Sequence, residues 1–180
     1  MICVVRVEAM AFGGAGVGRL PTGKVAFVRG GLPGELVKAR VWREKNSLVE
    51  VEVEAVSEPS PQRVTPRCPV ADQCGGCGWM HLAEESQRDW KHRLLGAELE
   101  RAGLPAGPET LSPPLSGDSF GFRTRTRLHR RGDRFGTLAF RSHEVVSLTR
   151  CPILHPDLEA FAQALAGALR DLPPAAPRQF

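Results

Sequence analysis

The chain has 180 residues, of which 42% are hydrophobic and 24% charged, and its formal net charge is +4. This mixture is typical of globular proteins and argues against a largely disordered chain; its length allows one or two small domains. The first charged residue, Arg6, lies close to the N-terminus, and no long apolar run follows it. We therefore expect no signal peptide, no membrane span and a cytoplasmic location.

The first third of the chain alternates apolar and polar residues with a period of two. The alternation predicts β-strands at residues 2–8, 25–29, 36–43 and 48–56. In the last of these, valines alternate with glutamates, so one face of the sheet is solvated. The pattern predicts a small antiparallel barrel or sandwich, followed by a linker rich in serine and proline at residues 57–61.

Three glycines after the first strand, Gly14, Gly16 and Gly18, are reminiscent of a nucleotide-binding loop. Such a loop needs a helix directly after it, so that the helix N-terminus faces the phosphates. The residues that follow lead instead into another predicted strand. We therefore interpret the run as a glycine-rich turn within the barrel.

Four cysteines form the most specific pattern in the chain. Cys68, Cys74 and Cys77 are spaced as C-x5-C-x2-C, and Cys151 is the distant fourth member. Four thiolates select an iron–sulfur cluster or zinc. Three close ligands and one distant ligand favour a cluster over a zinc ribbon, which has two C-x2-C pairs. The alternatives are a zinc-stabilised binding module and four unrelated core thiols that bind no metal. The fifth cysteine, Cys3, lies in an apolar strand and is interpreted as a core residue.

Beyond the first cysteines the pattern predicts an α+β region. Its elements, in chain order, are a helix at residues 83–102, strands at 122–131, 135–141 and 144–149, and a helix from Pro156 to the prolines at 173 and 174. We place Trp90, Leu94 and Leu95 on the inner side of the first helix and Phe161 on the inner side of the second.

The positive charge is concentrated between residues 120 and 150. This segment contains eight arginines and two acidic residues, so it carries +6 and the rest of the chain −2. In the predicted strand, basic side chains at every second position share one face: Arg123, Arg125, Arg127, His129 and Arg131. Because arginine binds phosphates in a bidentate manner, we interpret this face as an RNA or DNA contact; a charged edge strand exposed to solvent is the alternative.

With these motifs the chain resembles the N-terminal region of the RNA (uracil-5-)-methyltransferases, chiefly the 23S rRNA type. The matching segments are residues 12–19, 25–28, 31–35 and 60–63, Cys74-Gly-Gly-Cys77 with His81, Phe122-Arg123 and Arg150-Cys-Pro152. The resemblance implies a mainly β chain: an OB-like TRAM barrel that binds RNA at residues 1–58, then an α+β central domain at residues 59–180. It also implies a structural 4Fe-4S cluster on Cys68, Cys74, Cys77 and Cys151.

The resemblance further implies that the chain is the RNA-recognition half of an S-adenosylmethionine-dependent enzyme, with rRNA favoured over tRNA as the partner. No segment matches the family's Rossmann-like methyltransferase domain. We therefore expect this chain to contain no catalytic residue and to be inactive alone, because full-length members carry that domain and its S-adenosylmethionine site in cis. Met80 and Phe122 replace a glutamine and a tyrosine that are usual in the family. The alternative is a free-standing RNA-binding iron–sulfur protein or a cluster-based sensor.

Overall fold

A computed structural model of the protein describes residues 1–107 and 110–170. The chain divides into two compact units, each made of two segments. Unit 1 joins Met1–Thr65 to Gly78–Ser116, and unit 2 joins Pro66–Cys77 to the residues from Gly117 onward. This division is not a linear one at residue 58, because unit 1 also contains Trp79, Leu82 and Trp90, which pack with Met10 and Leu32. The limits of the two family domains stay a prediction. No helix in the part of the chain described is long and apolar enough to cross a membrane.

Unit 1 contains a closed five-stranded barrel. Its strands are β1 (Ile2–Met10), β2 (Gly16–Arg19), β3 (Val25–Arg29), β4 (Leu36–Glu44) and β5 (Leu48–Glu58). They follow one another around the barrel in the order β1-β2-β3-β5-β4, and β4 pairs with β1. All pairs are antiparallel except β3 with β5, so the predicted purely antiparallel arrangement is corrected at that one pair. The predicted mainly β fold with a barrel is confirmed, and its five-stranded closure is OB-like.

The small side chains of valine and alanine fill the barrel because alternate residues of each strand point inward. The buried residues are Val5, Val7, Ala26, Val28, Val37, Ala39, Val49 and Val51. Cys3 packs against this cluster, and its thiol lies 3.6 Å from the carbonyl oxygen of Ala39. Burial raises the pKa of Cys3. Cys3 is therefore a core residue with an unactivated thiol, as the sequence predicts.

The glycine run contains a strand that sequence reasoning missed. The turn ends before Gly16, and Gly16 and Gly18 lie inside β2, paired with β1 and β3. A Cβ atom at Gly18 would lie 2.2 Å from the carbonyl oxygen of Arg6. Glycine therefore serves here for close approach of two strand backbones, and only Gly13 and Gly14 have the positive φ angles of a turn.

Helix α1 (Glu84–Arg101) belongs to unit 1 and agrees with the predicted range. Trp90 and Leu94 pack against a second buried cluster in unit 1, formed by Met10, Leu32 and Leu82. Leu95 is 47% exposed, so its predicted inward position is wrong. It is one residue beyond Leu94, about 100° further around the helix, and thus outside the buried stripe.

A buried polar network stabilises the segments of unit 1 that follow β3 and β5. Glu35 is fully buried and accepts hydrogen bonds from the backbone N–H groups of Leu32 (2.8 Å) and Ser60 (3.1 Å). Arg63 donates to both of its carboxylate oxygens and to the carbonyl oxygen of Gly30 (2.6 Å). Burial opposes ionisation of Glu35, but these hydrogen bonds outweigh it and lower its pKa.

Unit 2 contains a three-stranded antiparallel sheet and a helix. The elements are β6 (His129–Arg131), β7 (Arg134–Leu138), β8 (Val145–Ser147) and α2 (Pro156–Arg170). The predicted strand at 122–131 is wrong except for its last three residues, because residues 124–128 have no ladder partner among the residues described. Ala162 is the buried residue of α2, whereas Phe161 is 64% exposed, contrary to its predicted position. The predicted end of this helix, at the prolines 173 and 174, lies outside the described residues.

Candidate cysteine centre and arginine cleft

All four cysteines of the predicted ligand set lie in unit 2, and all are free thiols of intermediate burial. Consecutive turns place the first two: the N–H of Ala71 donates to the Cys68 carbonyl (3.3 Å), and the N–H of Cys74 to the Val70 carbonyl (2.8 Å). At the distant ligand, the N–H of Cys151 donates to Glu159 Oε1 in the first turn of α2 (2.8 Å). Local turns and a helix thus determine the backbone positions of residues that are 74 or more positions apart.

The electrostatics of the cysteines indicate that they are close neighbours. The pKa of Cys77 is raised to about 11, mainly by burial and in part by the Cys151, Cys74 and Cys68 thiols, while Arg123 opposes the rise. Burial also raises the pKa of Cys151, assisted by Cys68 and Cys74 and opposed by the N–H groups of Ile153 and Leu154. Thiols that suppress one another's ionisation would ionise together only if a cation compensated their charge.

Two polar groups adjacent to Cys74 Sγ suit a thiolate ligand. The N–H of Gly76 donates to Cys74 Sγ (3.3 Å), and Thr137 Oγ1 lies 3.1 Å from the same sulfur. Such hydrogen bonds tune cluster sulfurs in iron–sulfur proteins. Within residues 1–107 and 110–170, however, no three His, Cys, Asp or Glu side chains form a group that could hold a metal ion. The residues present fit a cluster by donor chemistry, and the ligand set itself stays a prediction.

A basic cleft lies beside the C-x2-C loop, within unit 2. The pairing of β6 with β7 ends at His129 and Gly136, and residues from both segments beyond it line the cleft. The cleft between them has a volume of about 870 Å³. Its basic lining residues are Arg123, Arg125, Arg127, His129 and Arg141, and its other lining residues are Gly75, Gly76, Thr126, Thr137, Leu138, Ala139 and Ser142. The cleft concentrates positive charge that a polyanion could neutralise.

Four of the five predicted RNA-contacting residues line this cleft. Two backbone hydrogen bonds hold Arg123 against the loop before α2. Its N–H donates to the Ile153 carbonyl (2.8 Å), and its carbonyl accepts from the His155 N–H (2.9 Å). The structure does not place Arg131 in the cleft. Its guanidinium instead pairs with Glu144, at 3.3 Å. Arg123, Arg125, Arg127 and His129 therefore line one cleft, but Thr126 lines it as well, so the strict alternation of faces expected of a strand is not kept. Their contact with RNA stays a prediction.

Sequence reasoning missed Arg141 as a cleft residue. It was expected in a strand at 135–141, where its side chain carried no distinguishing signal. In the structure β7 ends at Leu138, and Arg141 lies in the turn that follows, with a φ angle of +48°. Its guanidinium lies 5.5 Å from the centre of the Phe140 ring. The turn, which depends on contacts with residues 73–75, is what brings this arginine to the cleft.

Cations on the barrel of unit 1 are arranged differently, because acidic partners compensate them. Five ion pairs connect its strands and their flanks: Arg6–Glu58, Lys24–Glu44, Arg29–Glu52, Arg40–Glu54 and Arg43–Glu50. The glutamates that alternate along β5 supply most of the acidic members. The barrel surface on these strands is therefore locally neutral, unlike the cleft of unit 2.

Comparison with known proteins identifies similar sequences along nearly the whole chain. The model of the TRAM domain matches residues 3–46. The 23S rRNA (uracil(1939)-C(5))-methyltransferase RlmD of Dichelobacter nodosus is 39% identical, over 94% of this chain and 41% of that protein. RlmD of Pseudomonas putida is 35% identical, over 92% of this chain and 38% of that protein. The chain thus spans about two fifths of the length of these curated relatives.

A solved structure shows the same fold. The crystal structure of the tRNA (uracil-54, C5)-methyltransferase of Pyrococcus abyssi, in complex with S-adenosyl-L-homocysteine, superposes with a TM-score of 0.61. The match covers 93% of this chain and 37% of that chain, at 24% identity. The resemblance predicted from the motifs is therefore confirmed: the chain carries a TRAM domain and is similar, along more than nine tenths of its length, to part of the 23S rRNA uracil-C5 methyltransferases RlmD.

Proposed function

We propose that the chain is the RNA-binding part of an RNA (uracil-5-)-methyltransferase, and that its arginine cleft contacts the RNA backbone. One observation carries the proposal: one cleft is lined by Arg123, Arg125, Arg127 and His129. The chain that forms this cleft is 35–39% identical to RlmD proteins. Guanidinium groups bind phosphate oxygens in a bidentate manner, and phosphate contacts supply essentially all of the sequence-independent affinity for nucleic acids.

The contrast between the two units supports the cleft as the main electrostatic contact. On the barrel, five cations have glutamate partners within 4 Å, so the gain from releasing counterions on RNA binding is reduced there. The segment from residue 120 to residue 150 has only two acidic residues for eight arginines. The barrel then contributes shape and base contacts in the manner of OB-like folds.

The chemistry of uracil methylation explains why these contacts with RNA are needed. Carbon 5 of uracil becomes nucleophilic only after a thiolate has added to carbon 6, so the target base must leave its stack and enter a catalytic pocket. Removing the base from its stack costs a few kcal/mol, which RNA contacts must offset. We propose that this chain supplies those contacts and that the methyl-donor site and the nucleophile lie outside its 180 residues. The most similar relatives named above act on 23S rRNA, which favours rRNA over tRNA as the partner.

We propose further that Cys68, Cys74, Cys77 and Cys151 hold a 4Fe-4S cluster with a structural role. A cluster bound there would supply a cross-link between the turns at residues 68–77 and the start of α2. The mutual elevation of the thiol pKa values and the N–H donor to Cys74 Sγ support this donor set. Methyl transfer to carbon requires no net electron transfer, so a structural role suffices.

The salt dependence of RNA binding tests the proposed function. Log K for binding single-stranded RNA falls as log salt rises, and each phosphate contact contributes about 0.7 to the steepness of that fall. Replacing Arg123, Arg125 and Arg127 together by glutamine should therefore make the slope shallower by about two units. The matched control replaces three ion-paired barrel residues, Arg29, Arg40 and Arg43, by glutamine, and should change the slope by much less. Fluorescence anisotropy with a labelled oligoribonucleotide measures both. Equal slopes in the parent and the cleft variant would overturn the proposal.

A further inference from the structure

Arg141 has an unusual backbone conformation for its residue type. Its φ angle is +48°, the one positive φ of a non-glycine residue in residues 1–107 and 110–170. The left-handed region is favourable for glycine and tolerable for asparagine, whereas a long side chain there is strained. Such strain persists only where the surrounding structure enforces it, and it clusters at functional sites.

The surrounding structure does enforce this turn, through the loop that carries Cys74. The N–H of Phe140 donates to the Gln73 carbonyl (3.2 Å), and the N–H of Gly75 donates to the Leu138 carbonyl (3.0 Å). A Cβ atom on Gly75 would lie 3.1 Å from the Cα of Phe140, so the two backbones are in close contact. The turn itself is closed by the Ser142 N–H, which donates to the Ala139 carbonyl (3.2 Å).

The position of Arg141 completes the charged lining of the cleft. Residues 123–129 supply three arginines and a histidine, and Arg141 adds a guanidinium from the segment that follows β7. The segment before β6 and the turn after β7 therefore both line the cleft. An RNA backbone in the cleft would therefore meet cations from both segments.

We propose that Arg141 is a further RNA-phosphate-binding residue, held in a left-handed turn by the Cys74 loop in order to present its guanidinium to the cleft. The proposal rests on the proposed function of the cleft. It predicts a conflict between stability and binding at this residue: asparagine or glycine relieves the backbone strain and removes the phosphate contact at the same time.

The experiment compares Arg141→Asn, Arg141→Gly and Arg141→Lys in the 180-residue chain, with a labelled single-stranded oligoribonucleotide as the probe. The Asn and Gly variants should bind about fivefold more weakly at 0.1 M salt, and their slope of log K against log salt should be shallower by about 0.7. Their melting temperatures should be no lower than that of the parent. The Lys variant keeps the charge and should bind within about twofold of the parent. Arg134→Asn is the control, because Arg134 lies in the same unit, outside the cleft, near Glu144 at 3.9 Å; its binding should not change.

Arg125→Gln separates the two proposals. If Arg125→Gln weakens binding while Arg141→Asn binds like the parent, the role of Arg141 is overturned and the RNA cleft stands. If neither variant weakens binding, both proposals are overturned. If Arg141→Asn and Arg141→Gly melt earlier and Arg141→Lys loses binding to the same extent as they do, Arg141 acts through the fold, and the phosphate contact is again overturned.

Discussion

Arg63 and Glu35 form a bidentate ion pair inside unit 1, with Nε to Oε1 at 2.6 Å and Nη2 to Oε2 at 2.7 Å. Both residues belong to motifs on which the family resemblance rests, Leu-Pro-Gly-Glu35 and Ser-Pro-Gln-Arg63. The pair connects the turn before β4 to the segment after β5. These motifs thus have a structural explanation that does not depend on RNA.

Removing one member of this pair should strongly destabilise the protein. Arg63→Met leaves a carboxylate buried without its cation, and we expect the free energy of unfolding to fall by roughly 3–5 kcal/mol. The control is Arg40→Gln, which breaks an exposed pair and should cost about 0–1 kcal/mol. Urea titration followed by circular dichroism measures both. Similar midpoints for the two variants would contradict a stabilising role for the buried pair.

Acid should destabilise the protein through His81. Burial, with the help of the nearby Arg63 guanidinium, lowers the pKa of this histidine to about 4, so the folded protein keeps it neutral. The unfolded chain binds a proton at its ordinary pKa of about 6.5. The unfolded state therefore binds more protons between these two values, and stability should fall as pH drops from about 6.5 to 4, by up to about 1.4 kcal/mol per pH unit.

The variant His81→Gln isolates this effect. It should flatten the dependence of the unfolding free energy on pH between about 4 and 6.5, because no group at residue 81 then titrates. Glu35 contributes in a lower window: its pKa is depressed, so its stabilisation is lost only as pH falls below its ordinary value. Urea titrations at intervals of half a pH unit separate the two. An unchanged slope in the variant would assign the acid sensitivity to other groups.

Cys151 should be essential for metal binding. Protein prepared without oxygen should contain about four irons per chain, and Cys151→Ser should lose iron and visible absorbance together because one of four thiolates is removed. Cys3→Ser is the matched control: Cys3 packs against the barrel core in unit 1 and should leave the iron content unchanged. Iron and sulfide analysis are the measurements. Stoichiometric zinc in the parent, or full iron content in Cys151→Ser, would contradict the cluster assignment.

Gly14 should tolerate no side chain, for a reason beyond its backbone angle. Both Gly14 and Gly23 have positive φ angles, +90° and +82°, so alanine is strained at either residue. Only at Gly14 would the new Cβ meet the Gly78 carbonyl oxygen, at 2.3 Å, whereas Gly23 has open space. Gly23→Ala should cost about 1–2 kcal/mol and Gly14→Ala about 1–3 kcal/mol more, as thermal unfolding would show. Equal losses would mean that the contact with Gly78 relaxes without cost.

The sequence by itself determined the barrel core and the composition of the candidate sites. Alternating valines such as Val49 and Val51 predict which side chains are buried, because the period of a strand is a local property. The spacing of the cysteines and the concentration of arginines after residue 120 are likewise visible without a structure. The motifs were specific enough to indicate the family, and the comparisons confirm that resemblance.

Tertiary structure decided which of these residues come together. β2 was missed because its glycines have no apolar pattern, and it exists because the β1 backbone approaches it closely. The strand predicted at 122–131 is mostly absent, since a ladder needs a partner and residue 123 pairs with the loop before α2 instead. Arg131 faces Glu144, and Arg141 reaches the cleft through a turn anchored on residues 73–75. Such placements depend on pairing with other segments of the chain, as far apart as Gln73 and Phe140, and local periodicity does not encode them.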